Sequence, residues 1–312
     1  MRYRPLGSSG LVVSVVGLGC NNFGRRIDLE ATRAVVDAAL EEGITLLDTA
    51  DIYGESEAFL GEVLQGRRDG VVLATKFGHP SYTPHGQKWE ARGGRRYIRG
   101  AIEYSLKRLR TDWIDLFQLH FPDRRTPIEE TLAALDELVQ EGKVRYIGIS
   151  NVDGWRIADA DWTARTRGLS RFISVQNHYN LLERDAERSV IPACERFGVG
   201  FLPYFPLANG LLTGKYHRGA PPPEGTRLAG NPDALNDRVF DVVEQLEKYA
   251  AERGRTLLDV AIGGLAAQPM VASVIAGATK PEQVRANVAA GEWEPTADDL
   301  AALDEIAPAK RP

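Results

Sequence analysis

Four residues whose side chains can hold or move a proton stand at the ends of three consecutive predicted strands, or just beyond them: Asp48, Tyr53, Lys76 and His120. A tyrosine has an ordinary pKa of about 10, so it donates a proton near neutral pH only if a neighbour stabilises its phenolate. The ammonium group of Lys76 could do so, and the carboxylate of Asp48 would hold that lysine charged and in place. A histidine beside them could bind a carbonyl oxygen. The four side chains therefore predict a proton-donating relay.

Each of these residues also has an ordinary structural explanation. A strand-end lysine often forms a surface salt bridge, and Tyr53 could be a packed aromatic side chain. His120 could cap a loop, and Asp48 could cap the following helix. Adjacent parallel strands are about 4.8 Å apart, so complementary groups on neighbouring strand ends can converge. The combination of four such groups favours the catalytic interpretation.

Short runs rich in β-branched residues alternate along the chain with amphipathic helical stretches. Continuous apolar runs of this length are typical of a parallel sheet that is covered on both faces. The predicted strands are Val13–Leu18, Ile44–Leu47, Val71–Thr75, Ile114–Leu119, Val144–Ile149, Phe172–Gln176, Val199–Tyr204 and Ala272–Ala276. The predicted helices lie near 28–42, 55–65, 95–109, 127–141, 153–164, 183–196 and 281–290. This alternation predicts an α/β fold.

Two architectures fit the alternation, a (β/α)8 barrel and a doubly wound sheet. A doubly wound dinucleotide-binding sheet needs GxGxxG after its first strand, whereas Gly17-Leu18-Gly19-Cys20-Asn21-Asn22 lacks the third glycine. A barrel instead brings functional side chains to the C-terminal ends of many strands. Residues of this kind do end the predicted strands: Asp48, Lys76, His120, Ser150, Asn151, Gln176 and Tyr204. The sequence therefore predicts a (β/α)8 TIM barrel.

Three segments fall outside the eightfold pattern. Met1–Val12, with Gly7-Ser8-Ser9-Gly10 in its middle, is predicted to form a β-hairpin that plugs the N-terminal end of the barrel. Towards the C-terminus, the Pro- and Gly-rich segment Ala208–Asp237 is predicted to be a long loop on the active face. Arg253–Ala267 is predicted to add an extra helix. No shift in composition marks a domain boundary, so residues 1–312 are interpreted as a single domain.

Composition and charge disfavour several functional classes. The 312 residues are 43% hydrophobic and 26% charged, as in ordinary globular proteins. The net charge of −5 gives no general attraction to nucleic acid or anionic lipid, and the basic stretch Arg92–Arg110 is interpreted as a solvated helix face. The 2 cysteines and 5 histidines lack disulfide or metal-ligand spacing, so no metal site is predicted.

No apolar segment approaches the roughly 20 residues that a membrane span requires. The apolar run Leu11–Cys20 is interrupted by Gly17 and Gly19, and it is interpreted as a strand and not as a signal peptide. We therefore expect a cytoplasmic protein with neither a membrane nor a nucleic-acid partner.

Six motifs along the chain resemble those of the aldo-keto reductases. They are Asp48-Thr49-Ala50-Asp51-Ile52-Tyr53-Gly54, Ala74-Thr75-Lys76, Asp115-Leu116-Phe117-Gln118-Leu119-His120, Gly148-Ile149-Ser150-Asn151, Gln176-Asn177-His178-Tyr179-Asn180 and Gly210-Leu211-Leu212-Thr213-Gly214-Lys215-Tyr216. Together they cover essentially the whole chain, in a style closer to the bacterial and potassium-channel β-subunit branch. The resemblance implies a barrel that uses NADPH, in preference to NADH, to reduce aldehydes or ketones, or to oxidise alcohols in the reverse direction. The residues that match the family's catalytic tetrad are Asp48, Tyr53, Lys76 and His120.

The resemblance also implies a set of cofactor-binding residues. Ser150, Asn151 and Gln176 would hold the nicotinamide amide, and the ring of Tyr204 would stack on the nicotinamide. The complete implied set is Gly19, Cys20, Asn21, Asp48, Ser150, Asn151, Gln176, Tyr204, Phe205, Pro206, Leu207, Ala208, Asn209, Gly210, Thr213, Lys215, Arg227, Gly277, Thr279, Lys280, Gln283 and Asn287.

By the same resemblance, the phosphate-bearing parts of the cofactor fall on separate segments. Leu207–Lys215 would bind the pyrophosphate. Gly277–Asn287 would bind the adenosine end, where a helix that starts near Pro281 would aim backbone N–H groups at a phosphate. Arg227 would lie over the adenosine phosphate.

Four positions depart from the family's usual pattern. Phe205 replaces a common serine, and Cys20 replaces a threonine. Asn21 stands where an aromatic residue is common, and Ala286 stands where an acidic residue contacts the adenine. These departures change expected contacts with the cofactor, and none of them is a residue of the tetrad.

The substrate implied by the resemblance is a small carbonyl compound or alcohol. The predicted pocket residues are Phe23, Tyr53, Trp89, His120 and Phe121. Tyr82 and Trp155 are further candidates for an aromatic wall of this pocket.

Two other functions remain open at this point. The chain could be a regulatory subunit that binds NADP(H) with little turnover, as channel β-subunits do. It could also be a Schiff-base lyase, in which a desolvated Lys76 attacks a carbonyl carbon.

Overall fold

A two-stranded antiparallel hairpin and an eight-stranded parallel sheet form the framework of the chain. The computed structural model describes residues 1–81 and 84–309. The hairpin strands are β1 (Tyr3–Pro5) and β2 (Val12–Ser14). The sheet strands are β3 (Val16–Gly19), β4 (Leu46–Asp48), β5 (Val72–Phe77), β6 (Ile114–Leu119), β7 (Val144–Ser150), β8 (Phe172–Gln176), β9 (Gly200–Phe201) and β10 (Val274–Gly277). Their order across the sheet is β10-β3-β4-β5-β6-β7-β8-β9.

The two strands at the ends of this order, β9 and β10, come together and close the sheet. The Phe201 N–H donates to the Met270 carbonyl at 2.7 Å, and the Ile275 N–H donates to the Pro203 carbonyl at 3.1 Å. Tyr204 and Ile275 form a further parallel bridge. The closed parallel sheet, with helices between its strands, confirms the predicted (β/α)8 barrel.

The helices follow the strands and cover the outer face of the sheet. Their bounds are α1 (Leu29–Glu41), α2 (Ser56–Val63), α3 (Arg95–Leu109), α4 (Ile128–Gln140), α5 (Gly154–Arg167), α6 (Val190–Phe197), α7 (Asp237–Glu252), α8 (Leu257–Ala266), α9 (Pro281–Gly291) and α10 (Ala297–Ile306). In α1, the Asp28 side chain caps the first turn by accepting the Ala31 N–H at 2.9 Å. Val35, Val36 and Ala39 form its buried face, at the spacing of an amphipathic helix.

None of the helices in residues 1–81 and 84–309 combines the length and apolar character that a bilayer crossing requires.

Six of the predicted strands agree with the observed ones to within two residues at each end, and two differ more. The run Val13–Leu18 is divided between β2 and β3, because its first residues pair with β1 and only Val16–Gly19 enter the barrel. The run Val199–Tyr204 contributes only the two residues of β9, since Pro203 has no N–H to continue the ladder.

The helices differ from the prediction in the last third of the chain. The helix predicted over 183–196 starts at Val190, after a short 3-10 turn at Asp185–Arg188. The extra helix predicted within Arg253–Ala267 is confirmed as α8. Two additional helices, α7 and α10, were not predicted.

The β1–β2 hairpin fills the N-terminal end of the barrel. Leu6 and Val13 are fully buried in a cluster with Leu46 and Leu116 of the barrel strands. A β-carbon on Gly7 would lie 2.6 Å from the carbonyl oxygen of Gly198, so the hairpin turn contacts the chain before β9 too closely for any side chain. The predicted plug is confirmed, and it leaves the C-terminal strand ends as the face where a site can form.

Candidate active site

The mouth of the barrel holds a cavity of about 870 Å³ above the C-terminal strand ends. That volume lies within the range of small-molecule and cofactor sites. The strand register brings the ends level, pairing Gly19 with Asp48 and Ser150 with Gln176. Strand-end residues that line the cavity include Gly19, Asp48, Ser150, Gln176 and Gly277.

A buried ion pair lies at the base of this cavity. Nζ of Lys76 lies 2.6 Å from Oδ2 of Asp48 and donates a second hydrogen bond, of 2.9 Å, to the carbonyl of Thr49. The other carboxylate oxygen, Oδ1, accepts from Nε2 of Gln118 at 3.2 Å and from Nε2 of Gln176 at 2.9 Å. Because both oxygens are hydrogen-bonded, the pair is a fixed part of the barrel interior.

The pKa of Lys76 shows the effect of this pairing. Burial lowers the pKa, but the charge of Asp48 and the neighbouring Tyr53 outweigh burial and raise it above its ordinary value. The amine is therefore held as an ammonium ion, which has no lone pair with which to attack a carbonyl carbon.

Tyr53 lies against this ammonium group, with its ring centroid 5.1 Å from Nζ of Lys76. Burial raises the pKa of Tyr53 above its ordinary value, and Lys76 opposes that effect without overcoming it. Lys76 therefore acts on the pKa of Tyr53 in the predicted direction, and burial is the larger effect. The phenol is protonated, and Lys76 is the neighbour that favours loss of its proton.

His120 lies edge-on to Tyr53, with ring centroids 6.1 Å apart. Its pKa is well below the ordinary value, first because of burial and then because of the charge on Lys76 and the nearby His79. The ring is therefore neutral near pH 7 and can donate a hydrogen bond from one nitrogen. Its backbone is fixed on both sides, since its N–H donates to Phe77 at 2.7 Å and its carbonyl accepts from Asn151 at 3.0 Å.

A chain of polar groups continues around the mouth from His120. The Tyr204 hydroxyl donates to Oδ1 of Asn151 at 2.7 Å, and Nδ2 of Asn151 donates to the hydroxyl of Ser150 at 3.0 Å. Ser150 in turn donates to the Gln176 carbonyl at 2.6 Å. The ring of Tyr204 is stacked on His178, with centroids 5.5 Å apart and planes 9° apart, and Tyr204 also lines the cavity. The arrangement presents an aromatic ring beside amide and hydroxyl groups.

The next wall of the cavity has an unusual backbone. Phe205, Ala208 and Asn209 have positive φ values of 52°, 45° and 58°, and Gly210 follows with 95°. Such left-handed residues turn successive N–H groups towards one side and form concave anion-binding sites. A β-carbon on Gly210 would lie 2.5 Å from Nζ of Lys215, so the ammonium group packs directly on this turn.

The far end of the cavity carries an arginine and a lysine. Arg227 donates to Oδ1 of Asn21 and to Oδ1 of Asn22, both at 3.0 Å. Nδ2 of Asn22 then donates to the carbonyl of Ala278 at 3.2 Å, two residues before Lys280. Lys280 precedes the first turn of α9, whose N-terminus adds positive potential. This end of the cavity is therefore positively charged.

Most of the predicted site residues come together in this cavity. Within the described part of the chain, every predicted cofactor residue lines it except Ala208, which is buried beneath the turn that it helps to shape. Tyr53, His120 and Phe121 line it as predicted. Lys76 does not line the cavity itself but is paired with Asp48, which does.

Two predicted pocket residues are placed elsewhere by the structure. Phe23 is fully buried in the hydrophobic core, because the turn between Asn22 and Gly24 points it inward. Trp89 is 66% exposed and lies outside the cavity lining. Trp155 is likewise exposed on α5, and Tyr82 lies outside the described residues.

The sequence predicts that the segments Phe23–Asp28, Gly78–Gly94 and Asn209–Asn236 contribute to the substrate pocket, and several of their residues that were not predicted individually line the cavity. Asn22, Arg25 and Arg26 belong to the loop after β3, and His79 follows β5. The adjacent basic pair Arg25-Arg26, just beyond a predicted strand end, is the signal that could have found this part of the site. The segment Glu224–Thr226 lines the opposite side.

The residues present fit a dinucleotide phosphate chain. The left-handed turn at Asn209 and Gly210 lets the ammonium group of Lys215 pack directly on the backbone, since Nζ lies 2.5 Å from where a β-carbon of Gly210 would be. Lys215, Arg227 and Lys280 line the cavity as cations. The fold and the site together define a barrel protein whose cavity places Tyr53 and the Lys76–Asp48 pair next to a channel lined by cationic side chains.

The chain belongs to the Aldo/keto reductase family, whose model matches residues 15–308. It is 39% identical to "Uncharacterized oxidoreductase YrpG" of Bacillus subtilis, over 99% of this chain and 96% of that protein. It is 34% identical to "L-glyceraldehyde 3-phosphate reductase" of Escherichia coli, over 93% of this chain and 87% of that protein. It is also similar to "Probable voltage-gated potassium channel subunit beta" of Arabidopsis thaliana, at 33% identity over 98% and 95% of the two chains. The resemblance predicted from the motifs is confirmed, and the family and its relatives support an oxidoreductase.

Proposed function

We propose that this protein catalyses NADPH-dependent reduction of an aldehyde or ketone, and the reverse oxidation of an alcohol. The observation that carries the proposal is the contact of Tyr53 with the buried Lys76–Asp48 pair, beside a neutral His120 at the mouth of the cavity. When bound, the cofactor would supply a hydride to the carbonyl carbon.

Tyr53 donates its hydroxyl proton to the carbonyl oxygen in this proposal, so that the substrate gains a hydride and a proton and leaves as an alcohol. Lys76 stabilises the phenolate that remains, because its pKa keeps it charged. Asp48 keeps the ammonium group in position from the other side. The phenolate then recovers a proton from solvent.

His120 orients the carbonyl oxygen towards Tyr53. A neutral imidazole donates a hydrogen bond from one ring nitrogen without competing as an acid, and its lowered pKa supports that state. Its Nδ1 is buried and has no hydrogen-bond partner among the described residues. An oxygen held between the phenol and the imidazole is aligned for proton transfer.

The cofactor would lie across the mouth, from the tetrad to α9. Ser150, Asn151 and Gln176 hold the nicotinamide amide in this proposal, with the Tyr204 ring against the nicotinamide. Asn209–Lys215 bind the pyrophosphate. Phe205, which replaces a serine hydroxyl, serves as the surface on which the Arg227 guanidinium lies, 5.5 Å from its ring centroid.

A preference for NADPH over NADH follows from the charges at the far end. The additional 2′-phosphate of NADPH would meet Lys280 and Arg227, and a dianion favours several cationic donors. An NADPH-oxidation screen across aldehydes, ketones and sugars, with NADH in parallel, tests both the reaction and the preference. Because an Escherichia coli relative is named for L-glyceraldehyde 3-phosphate, that compound belongs in the screen.

The same screen tests the regulatory alternative, and borohydride trapping tests the lyase alternative. Binding of NADPH with no turnover of any carbonyl would favour a regulatory subunit, such as the name of the Arabidopsis relative describes. A borohydride-trapped adduct on Lys76 would favour a Schiff-base lyase, although its ion pair with Asp48 supports a charged, non-nucleophilic amine.

A further inference from the structure

We propose that Arg25 binds an anionic group of the substrate, a carboxylate or a phosphate, and so makes this enzyme selective for negatively charged carbonyl compounds. The inference rests on the proposed function, since it takes the carbonyl oxygen to lie between Tyr53 and His120. Arg25 lines the same cavity as both residues.

Arg25 is fixed next to the proton donor. Its guanidinium carbon lies 5.9 Å from the ring centroid of Tyr53. Its guanidinium donates a hydrogen bond of 2.5 Å to the carbonyl of Ile52, and its stem packs on Gly54, where a β-carbon would lie 3.4 Å from Cγ. Both contacts belong to the loop that carries Tyr53. An anion bound by this arginine is therefore held at a fixed position relative to the hydroxyl of Tyr53.

The guanidinium has donors left for a ligand. It carries five N–H groups, and among residues 1–81 and 84–309 its side chain donates a hydrogen bond only to the carbonyl of Ile52. It forms no ion pair with the carboxylates of that described part. Glu55 is the carboxylate on the adjoining stretch of chain, and it lies instead 3.7 Å from Arg108.

The substrate end of the cavity has an excess of positive charge. Arg25 and Arg92 both lower the pKa of His79, after the larger effect of burial. Asp48 is neutralised by Lys76 at 2.6 Å, and Asp51 is buried beneath the loop, 3.7 Å from Nε2 of His85. An anionic substituent on the substrate is therefore attracted here, and the forked guanidinium suits a carboxylate or phosphate.

Kinetics with matched aldehydes test this proposal. The pairs are 4-oxobutanoate with butanal, and glyceraldehyde 3-phosphate with glyceraldehyde, each assayed with the wild type, Arg25→Met and Arg25→Lys. In Arg25→Met we expect kcat/KM for the anionic member to fall at least about tenfold through KM, the scale of one charge-assisted hydrogen bond. The loss for the neutral member should be clearly smaller, because it reflects only the effect of Arg25 on the pKa of Tyr53, and the KM of NADPH should change less than about threefold. Arg25→Lys should recover part of the loss, and added salt should reduce the preference of the wild type.

Arg33→Met is the matched control, because Arg33 is half exposed on α1 and pairs with Glu62 away from the cavity. Equal losses for charged and neutral aldehydes in Arg25→Met, or no loss for either, would overturn the role of Arg25 and leave the proposed function intact. Failure of the wild type to reduce any of the four aldehydes would instead contradict the proposed function, and the inference with it. A loss confined to one pair identifies the anion as carboxylate or phosphate.

Discussion

The hydroxyl of Thr75 donates a hydrogen bond of 2.8 Å to Oε1 of Glu57, and neither side chain reaches solvent. Thr75 precedes Lys76 on β5, and Glu57 lies in α2, so the bond ties the lysine-bearing strand to the helix behind it. Burial raises the pKa of Glu57 to about 7, although the bond from Thr75 acts in the opposite direction. Glu57 therefore changes its charge near neutral pH, and it does so in contact with Thr75, the residue that precedes Lys76.

Glu57→Gln should stabilise the protein at alkaline pH. The folded state keeps a proton on Glu57 that the unfolded state releases above its ordinary pKa of 4.5, so the wild type loses stability as pH rises from there through about 7. The free energy of unfolding of the variant minus that of the wild type should be larger at about pH 8 than at about pH 5, by on the order of 3 kcal/mol. Urea denaturation at the two pH values measures this difference. If variant and wild type differ in their free energy of unfolding by the same amount at both pH values, Glu57 is ionised in the folded protein at both.

Tyr53→Phe should lower turnover by at least about 100-fold, the usual scale of general acid–base catalysis. The affinity for NADPH, followed by fluorescence titration, should barely change, because the phenol faces the substrate. Near-full activity in this variant would mean that another donor, such as His120, delivers the proton.

Lys76→Met should be similarly damaging, because the phenolate loses the charge that stabilises it. Removal of the ammonium raises the pKa of Tyr53 further, so the alkaline limb of the surviving activity should move to higher pH. A pH profile of kcat/KM checks this shift. The double variant Lys76→Met/Asp48→Asn serves as a control for folding, since the single variant leaves Asp48 buried without its partner. An unchanged alkaline limb in both variants would contradict the role of Lys76.

Replacing Lys280 and Arg227 by alanine should raise the Kd of NADPH by a factor at least about ten times larger than the factor by which it raises the Kd of NADH. Arg285→Ala provides the control, because Arg285 lies on the same helix and pairs with Glu41 and Glu42 at 3.6 Å. Fluorescence titration of both cofactors gives the ratio. Equal losses for NADPH and NADH would show that these cations bind a part common to both.

The barrel and the strand-end residues could be predicted because their signals are local. A β-branched run that ends in Asp48 or Lys76 fixes both the strand and the position of its last side chain. The helix α7 carries a similar signal, since Phe240, Val243 and Leu246 recur at helical spacing, and it was overlooked behind the Pro-rich loop. In α10 only Leu303 is buried, so there is little periodicity to find.

The loop residues of the site could not be predicted in the same way. Phe23 and Arg25 are separated by a single glycine, yet Phe23 enters the core and Arg25 lines the cavity. That difference depends on the left-handed conformation of Gly24, with φ of 70°, and on the packing of Arg25 against Gly54. Both are tertiary features of a loop, which has no periodic pattern to reveal which way a side chain points.

Asp48 accepts hydrogen bonds across the barrel interior from Gln118 of β6 and Gln176 of β8, so its position is fixed by strands and not by a loop. Arg25 and Phe121, in contrast, stand on segments that leave the strands. In the proposed mechanism, proton transfer and substrate selectivity therefore depend on different parts of the chain. A laboratory selection that randomises only the two loop positions can search for new substrates while the acid and its supports stay in place.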